Sequence, residues 1–331
     1  MSLFASDHTL FLFFGRRFRF SDAVFSTPRS RCFGQSVSLY DTDQLTGLRN
    51  GEPNADSFGA FLAGSGAVMC IADGVGWGVG PQLASQHAVE GALAFLQKEV
   101  ASAKTVRQLG HVLHGSMRSA QRRIITQGGT LTTFLVCAAA RLTGSTDLVV
   151  VAYSVGDCRA FAVSPTKSTR EVTVLRSRSD MRDPGGCLGF AIGEEPDLAG
   201  ASYHAVRCAP GDIIVLCSDG VHDNWDPTVR RAPREQWESP GKPEMTARIG
   251  YALRHLRTVA AAGVEHRDAQ AIVGSLIADL DSVTGDNRAT LEKLTLEYKD
   301  LPRGERSSRI IERLKECPGK LDHATILAFI L

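Results

Sequence analysis

No run of apolar residues reaches the roughly 18 that a membrane-crossing helix needs. The longest one near the start, Leu10 to Phe14, has its basic residues (Arg16, Arg17) after it rather than before it, the reverse of a cleavable secretory signal. Net charge is also missing. Lys+Arg number 37 against 36 Asp+Glu, a formal charge of +1, so there is no long-range field to favour nucleic acid or an acidic membrane surface. The eight cysteines include no CxxC pair, which argues against a zinc site or a redox couple. Cys70, Cys137 and Cys217 lie in apolar runs, where a thiol behaves as a small hydrophobe, and the set reads as reduced buried cysteine. There is no GxxxxGK[ST] phosphate loop, no HExxH, no GxSxG elbow and no N-x-S/T acceptor. The run Gly74-Val75-Gly76-Trp77-Gly78-Val79-Gly80 fails as a dinucleotide loop, because the third glycine of GxGxxG would fall on Val79.

What remains is a globular composition: 331 residues, 43% apolar and 22% charged. Glycine, at 32, exceeds its usual share of about 7%. Short apolar runs end on Asp-Gly or Gly-Asp at Asp73-Gly74, Gly156-Asp157 and Asp219-Gly220, and read as buried strands. Further strands are expected at 130–141, 158–164, 171–175, 201–208 and 325–331. Helices are expected from Pro81, over 105–127, and over 244–262, 265–283, 288–298 and 303–316. Strands in consecutive runs, rather than alternating with helices, point to antiparallel sheets packed face to face with helices outside. One large domain is expected over residues 34–331, with a helical stretch at about 240–316. Residues 1–33 read as an extension, poorly ordered or carrying a targeting signal.

The chemistry-bearing residues are carboxylates: Asp56, Asp73, Asp157, Asp219, Asp223 and Asp322. An Asp before Gly is ordinarily a turn residue. Several of them at strand ends can instead aim oxygen ligands at one point, which suits magnesium or manganese better than zinc.

Six segments in order resemble the metal-dependent Ser/Thr protein phosphatases of type 2C. They are Asn54-Ala55-Asp56, Ala72-Asp73-Gly74-Val75-Gly76, Gly129-Thr130, Val155-Gly156-Asp157-Cys158-Arg159-Ala160, Leu216-Cys217-Ser218-Asp219-Gly220 through Asp223, and Gly319 through Asp322-His323-Ala324-Thr325. The resemblance implies an α+β, four-layer αββα sandwich: two antiparallel sheets flanked by helix pairs. It implies two Mg²⁺ or Mn²⁺ ions held by Asp56, Asp73, the Gly74 carbonyl, Asp219 and Asp322, with a third, weaker ion at Asp157, Asp219 and Asp223. It further implies hydrolysis of phosphoserine and phosphothreonine in proteins by a metal-bridged hydroxide, with Asp73 and Asp219 central. The alternative is a catalytically weak module of the same fold that holds a phosphoprotein or another partner.

Several positions bear on how closely the family pattern is followed. Ala55 stands where a Glu is usual, and Val75 where some members carry a His acid. Arg49 is the nearest candidate for the phosphate-binding Arg. Arg178 and Arg182 fall where members carry a flap over the cleft. His222 reads as packing rather than ligation. The expected compartment is cytoplasmic or nuclear, unless residues 1–33 direct the chain to an organelle.

Overall fold

Alternation of side chains along each strand sorts the apolar residues into three separate cores. The computed structural model describes residues 8–13, 23–26, 31–63, 66–141, 146–165, 169–173, 184–238 and 241–331. One sheet contains β1 (His8–Phe13), β4 (Asp56–Ala63), β5 (Gly66–Asp73), β7 (Phe134–Arg141), β8 (Leu148–Val155) and β13 (Ser202–Cys208), in the order β1-β4-β5-β7-β8-β13. The second contains β2 (Ala23–Ser26), β3 (Cys32–Ser38), β9 (Arg159–Val163), β10 (Arg170–Glu171), β14 (Ile213–Cys217) and β15 (His323–Ile330), in the order β10-β9-β14-β15-β3-β2. Pairing within both sheets is antiparallel. A small third sheet joins β6 (Leu131–Thr132), β11 (Cys187–Ile192) and β12 (Glu195–Asp197).

On β5, Val68, Cys70 and Ala72 face helices α1 (Val79–Glu99) and α2 (Val106–Gln127). Met69 and Ile71 face the other sheet. On β15, Ile326 and Ala328 face helices α4 (Glu244–His266) and α5 (Ala269–Glu297), whereas Leu327 and Phe329 face inward. Both faces of each sheet are therefore covered, which is why the strands are apolar throughout instead of alternating with polar residues. This is the expected αββα sandwich.

Some elements differ from expectation. Residues 130–141 split into β6 and β7, because the Thr133 N–H turns aside to the Asp73 carbonyl at 2.8 Å. β3 and β4 were not anticipated: CFGQSVS and DSFGAFLA are rich in Gly, Ala and Ser, which carry little strand propensity. Within residues 1–33, expected to precede the domain, β1 pairs with β4 and β2 with β3. The two helices expected over 265–283 and 288–298 are one, α5. Across the join, Thr284 Oγ1 donates to the Leu280 carbonyl at 2.7 Å, and Arg288 pairs with Asp281 at 2.7 Å. Among the described residues no helix is long and apolar enough to cross a membrane. No disulfide joins the cysteines, and all but Cys317 are buried or nearly so.

Asp279 of α5 ties the outer helices to the middle of the chain. It receives two hydrogen bonds from Arg230, at 2.9 and 3.0 Å, and one from His255 Nε2 of α4 at 2.9 Å. Burial alone would raise the Asp279 pKa; the His255 and Arg230 contacts outweigh it and hold the group below its ordinary value. Its stabilising contribution is thus complete above the ordinary carboxylate range and lost as pH falls through the depressed value. Asp279→Ala strands the partly buried Arg230 guanidinium and leaves His255 Nε2 without its carboxylate partner. It is expected to cost about 2 kcal/mol at neutral pH, measured by chemical denaturation, with the difference from wild type shrinking in acid.

Candidate active site

The inner faces of the two sheets stay apolar for most of their length and turn polar at one end. Phe58 and Ala60 of β4 belong to the inter-sheet core, so Asp56, two residues earlier, lies on the same face. Asp73 follows Met69 and Ile71 in the same way, and Asp56 and Asp73 are direct cross-strand neighbours. In the opposite sheet, Leu327 is followed down the same face by Thr325 and then His323, and Leu216 of β14 by Ser218. Two acidic groups from one sheet thus meet hydroxyls from the other.

Asp56 Oδ2 accepts hydrogen bonds from Ser218 Oγ at 2.9 Å and Thr325 Oγ1 at 2.7 Å. Its Oδ1 is buried and has no hydrogen-bond partner. Asp73 is fixed through its backbone: its N–H donates to Thr133 Oγ1 at 3.0 Å, and its carbonyl accepts from Thr132 Oγ1 at 2.8 Å. Asp219 opens the short helix α3 (Asp219–His222) immediately after β14, close enough for its charge to act on Asp73. Asp322 precedes β15. Its Oδ1 accepts from Tyr40 Oη at 3.0 Å and from the His323 N–H at 2.9 Å.

Gly74 and Gly220 follow two of these aspartates, and the expected reason, a carbonyl approaching an ion, is not the constraint visible in the packing. A Cβ on Gly74 would lie 2.5 Å from the Pro81 carbonyl oxygen of α1, and one on Gly220 would lie 1.9 Å from the His323 carbonyl oxygen. Both glycines let one backbone rest on another.

The aspartates open onto a cleft of about 220 Å³ lined by Asp73, Gly74, Asp157, Asp219, Asp322 and Lys320, with Tyr40 and Trp77 as an aromatic wall. Trp77 Nε1 donates to Tyr40 Oη at 3.0 Å, and the two rings meet edge to face at 5.2 Å. Burial pushes Asp56 up to about 7, opposed by the Thr325 and Ser218 hydrogen bonds and reinforced by the charges of Asp322 and Asp219. Burial and the charges of Asp56, Asp219 and Asp322 raise Asp73 well above the usual carboxylate range. Burial and Asp219 push Asp322 up to about 6, with Lys320 in opposition. Burial pushes His323 down to about 4, so the ring is neutral at pH 7. The cluster therefore carries more negative charge than its surroundings compensate.

Lys320 supplies part of the compensation. Its Nζ lies 2.5 Å from Asp219 Oδ2, 2.9 Å from Asp322 Oδ2 and 3.0 Å from Asp223 Oδ2. Burial would lower its pKa, but the charges of Asp219, Asp322 and Asp223 raise it instead, so the ammonium stays charged. His222 adds a second tie on this side: Nε2 lies 2.9 Å from the Asp157 carbonyl oxygen and Nδ1 3.1 Å from Asp223 Oδ1.

The donor set suits hard divalent cations. It consists of carboxylate oxygens and a backbone carbonyl, and it includes the buried Asp56 Oδ1 without a partner. Among the described residues, however, no three His, Cys, Asp or Glu groups stand close enough to enclose an ion as they are arranged. The ammonium of Lys320 lies between three of the carboxylates that would do so.

Asp56, Asp73, Asp219 and Asp322 are brought together; Asp157 lines the same cleft, and Asp223 joins through Lys320. Arg49 is exposed, bridges Thr42 and does not line the cleft, although its charge reaches His323. Ala55 is fully buried and its carbonyl accepts from the Gly74 N–H at 3.2 Å, so a glutamate there would place a carboxylate out of solvent. Val75 donates its N–H to the Leu131 carbonyl at 2.9 Å and lines the cleft. Arg178 and Arg182 lie outside the described residues. His222 does pack, as read from sequence, but it also braces the two outer aspartates. Lys320, Tyr40, Trp77 and Ser218 were assigned no role from sequence. The one available signal was a lysine two residues before Asp322, inside an otherwise acidic motif.

Comparison with known proteins agrees with the family resemblance. Residues 46–254 match the model of the protein phosphatase 2C family. That span ends before Asp322. The chain is 36% identical over 208 residues to the PP2C-like domain-containing protein CG9801 of Drosophila melanogaster; the match covers 60% of this chain and 29% of that protein. Among solved structures it is similar to the PPM Ser-Thr phosphatase MsPP of Mycobacterium smegmatis (15% identity, TM-score 0.45, covering 91% and 97% of the two chains). It is also similar to PppA of Pseudomonas aeruginosa (14% identity, TM-score 0.47, covering 91% and 99%). With its family model matched over most of its length, this chain belongs to the protein phosphatase 2C family.

Proposed function

We propose that the chain hydrolyses phosphoserine and phosphothreonine in proteins with Mg²⁺ or Mn²⁺ bound at the cleft. The observation that carries this reading is the meeting of Asp56, Asp73, Asp219 and Asp322 from both sheets at one opening, with Asp56 Oδ1 buried and without a partner. Asp56, Asp73, the Gly74 carbonyl, Asp219 and Asp322 would hold two ions, and Asp157 and Asp223 with Asp219 a third. Such ions lower the pKa of a bound water and neutralise phosphate oxygens.

The protein's own residues do the rest. Ser218 and Thr325 fix Asp56 by one oxygen and leave the other to face inward. Thr132 and Thr133 lock the backbone of Asp73. Val75 has no ionisable proton to give, so in this reading the leaving alkoxide would be protonated by water. Arg49, at the edge, binds the phosphate only if a substrate brings it inward. Trp77, 60% exposed, and Tyr40 offer an aromatic surface to the side chain beside the phosphoresidue. Buried, reduced cysteines suit the cytoplasm or nucleus.

Lys320 among the carboxylates favours a second reading, a phosphoprotein-binding module with weak catalysis. Hydrolysis of an aryl phosphate and of phosphoserine peptides, with Mn²⁺, Mg²⁺ or chelator, separates the two. Turnover that needs the ion and stops in chelator supports the phosphatase; phosphopeptide binding without turnover under every ionic condition supports the module.

A further inference from the structure

The acidic cleft contains a cation that belongs to the chain. Lys320 Nζ contacts Asp219, Asp223 and Asp322 together, within 2.5–3.0 Å. Those distances exceed the 2.0–2.1 Å of magnesium–oxygen bonds, but the direction is the same: one positive centre on several carboxylate oxygens. The lysine is not a loosely placed surface group. Its backbone N–H donates to Oδ1 of the buried Asn224 at 2.7 Å, and Asn224 Nδ2 donates to the Lys320 carbonyl at 2.9 Å. Asn224 is itself fully buried and also donates to the Gly220 carbonyl at 2.8 Å. The backbone that carries Lys320 is thereby clamped to the helix that carries Asp219. The side chain is about one quarter exposed, so its charge acts in a medium less screened than water.

The other end of the cluster is different. Asp56 and Asp73 make no contact with Lys320, and Asp56 Oδ1 is buried without a partner. The cluster thus has an outer part that already holds an ammonium and an inner part that does not.

We propose that Lys320 is a built-in counter-cation that takes the place of divalent ions at Asp219, Asp223 and Asp322, leaving only the inner Asp56–Asp73 end for a single metal ion. The inference rests on the proposed cation site, and goes beyond it in assigning the number of ions to a single side chain. A divalent ion at the outer carboxylates would have to displace an ammonium that cannot leave the molecule. Its affinity there is reduced by the whole of that exchange.

The test counts Mn²⁺ per chain by titration calorimetry and native mass spectrometry, in wild type and in Lys320→Met and Lys320→Gln. Melting in chelator and far-UV circular dichroism report whether each variant is folded. Both variants are expected to bind one more ion per chain than wild type, and to melt lower in chelator because the outer carboxylates lose their only ammonium contact among the described residues. Equal counts in wild type and variants overturn the inference while leaving the metal reading intact. A wild-type count of two or more does the same, even if neither variant folds. No binding by any of the three proteins overturns the inference and the metal reading together. A gain in the variants over a wild type that binds none upholds the counter-cation role of Lys320, overturns metal at the inner end of the native cleft, and turns the native chain toward the binding-module reading.

Discussion

Asp73→Asn is expected to lower Mn²⁺-dependent hydrolysis of an aryl phosphate by roughly 10²–10³-fold without unfolding the protein. Asp73 is the most crowded of the carboxylates: burial and the charges of Asp56, Asp219 and Asp322 all oppose its ionisation. An amide of the same shape removes that repulsion and keeps the backbone contacts to Thr132 and Thr133. The melting temperature in chelator should therefore hold or rise while activity is lost. That opposite movement separates a lost ligand from a lost fold. Asp219→Asn should cut activity to a similar extent, but it also removes one of the three carboxylates that hold Lys320, so its melting temperature in chelator should fall below that of Asp73→Asn. Wild-type rates in Asp73→Asn would place the chemistry elsewhere.

Gly220→Ala is expected to destabilise the protein by about 3 kcal/mol, measured by denaturant titration. The new Cβ would lie 1.9 Å from the His323 carbonyl oxygen and 2.9 Å from its carbon. These are backbone atoms of the central strand β15, which is hydrogen-bonded on both sides to β14 and β3, so neither partner can yield cheaply. The displacement would part α3 from β15, and with it Asp219 from Asp322. Mn²⁺ binding should weaken along with stability. Gly274→Ala on the exposed side of α5 is the control: nothing lies within 4 Å of its Cβ, and alanine there should stabilise by about 0.5–1 kcal/mol. Opposite signs from the same substitution would show that packing at Gly220, not backbone propensity, sets the cost.

Much of this architecture was legible in the chain. The apolar runs ending at Asp73 and Asp219 are strands that end at the cleft, because a strand covered on both faces must be apolar throughout and can turn polar only where the cover stops. β3 and β4 were not legible. Their small and polar residues fit a sheet only because larger neighbours, such as Phe58 and Leu327 packed against Gly34, fill the space. The continuity of α5 past Gly285 was also hidden, since the Arg288–Asp281 and Thr284–Leu280 contacts that span the join depend on the helix already existing.

The site divides along the same line. Sequence order and residue type were enough to nominate six aspartates, to find no GxSxG elbow or CxxC pair, and to favour hard cations, because those conclusions depend on which donor atoms are present. Which carboxylates meet, and what charge faces them, depended on a long-range return: β15 comes back after α4, α5 and α6 (Arg303–Leu314) to lie between β3 and β14, carrying Lys320 and Asp322 against Asp219. Lys320 is about a hundred residues from Asp219 along the chain. In sequence it is one basic residue in a chain with balanced charge. Only the tertiary structure makes it the counter-charge of the cleft, because electrostatic energy depends on distance in space and burial, and neither is written in the local order of residues.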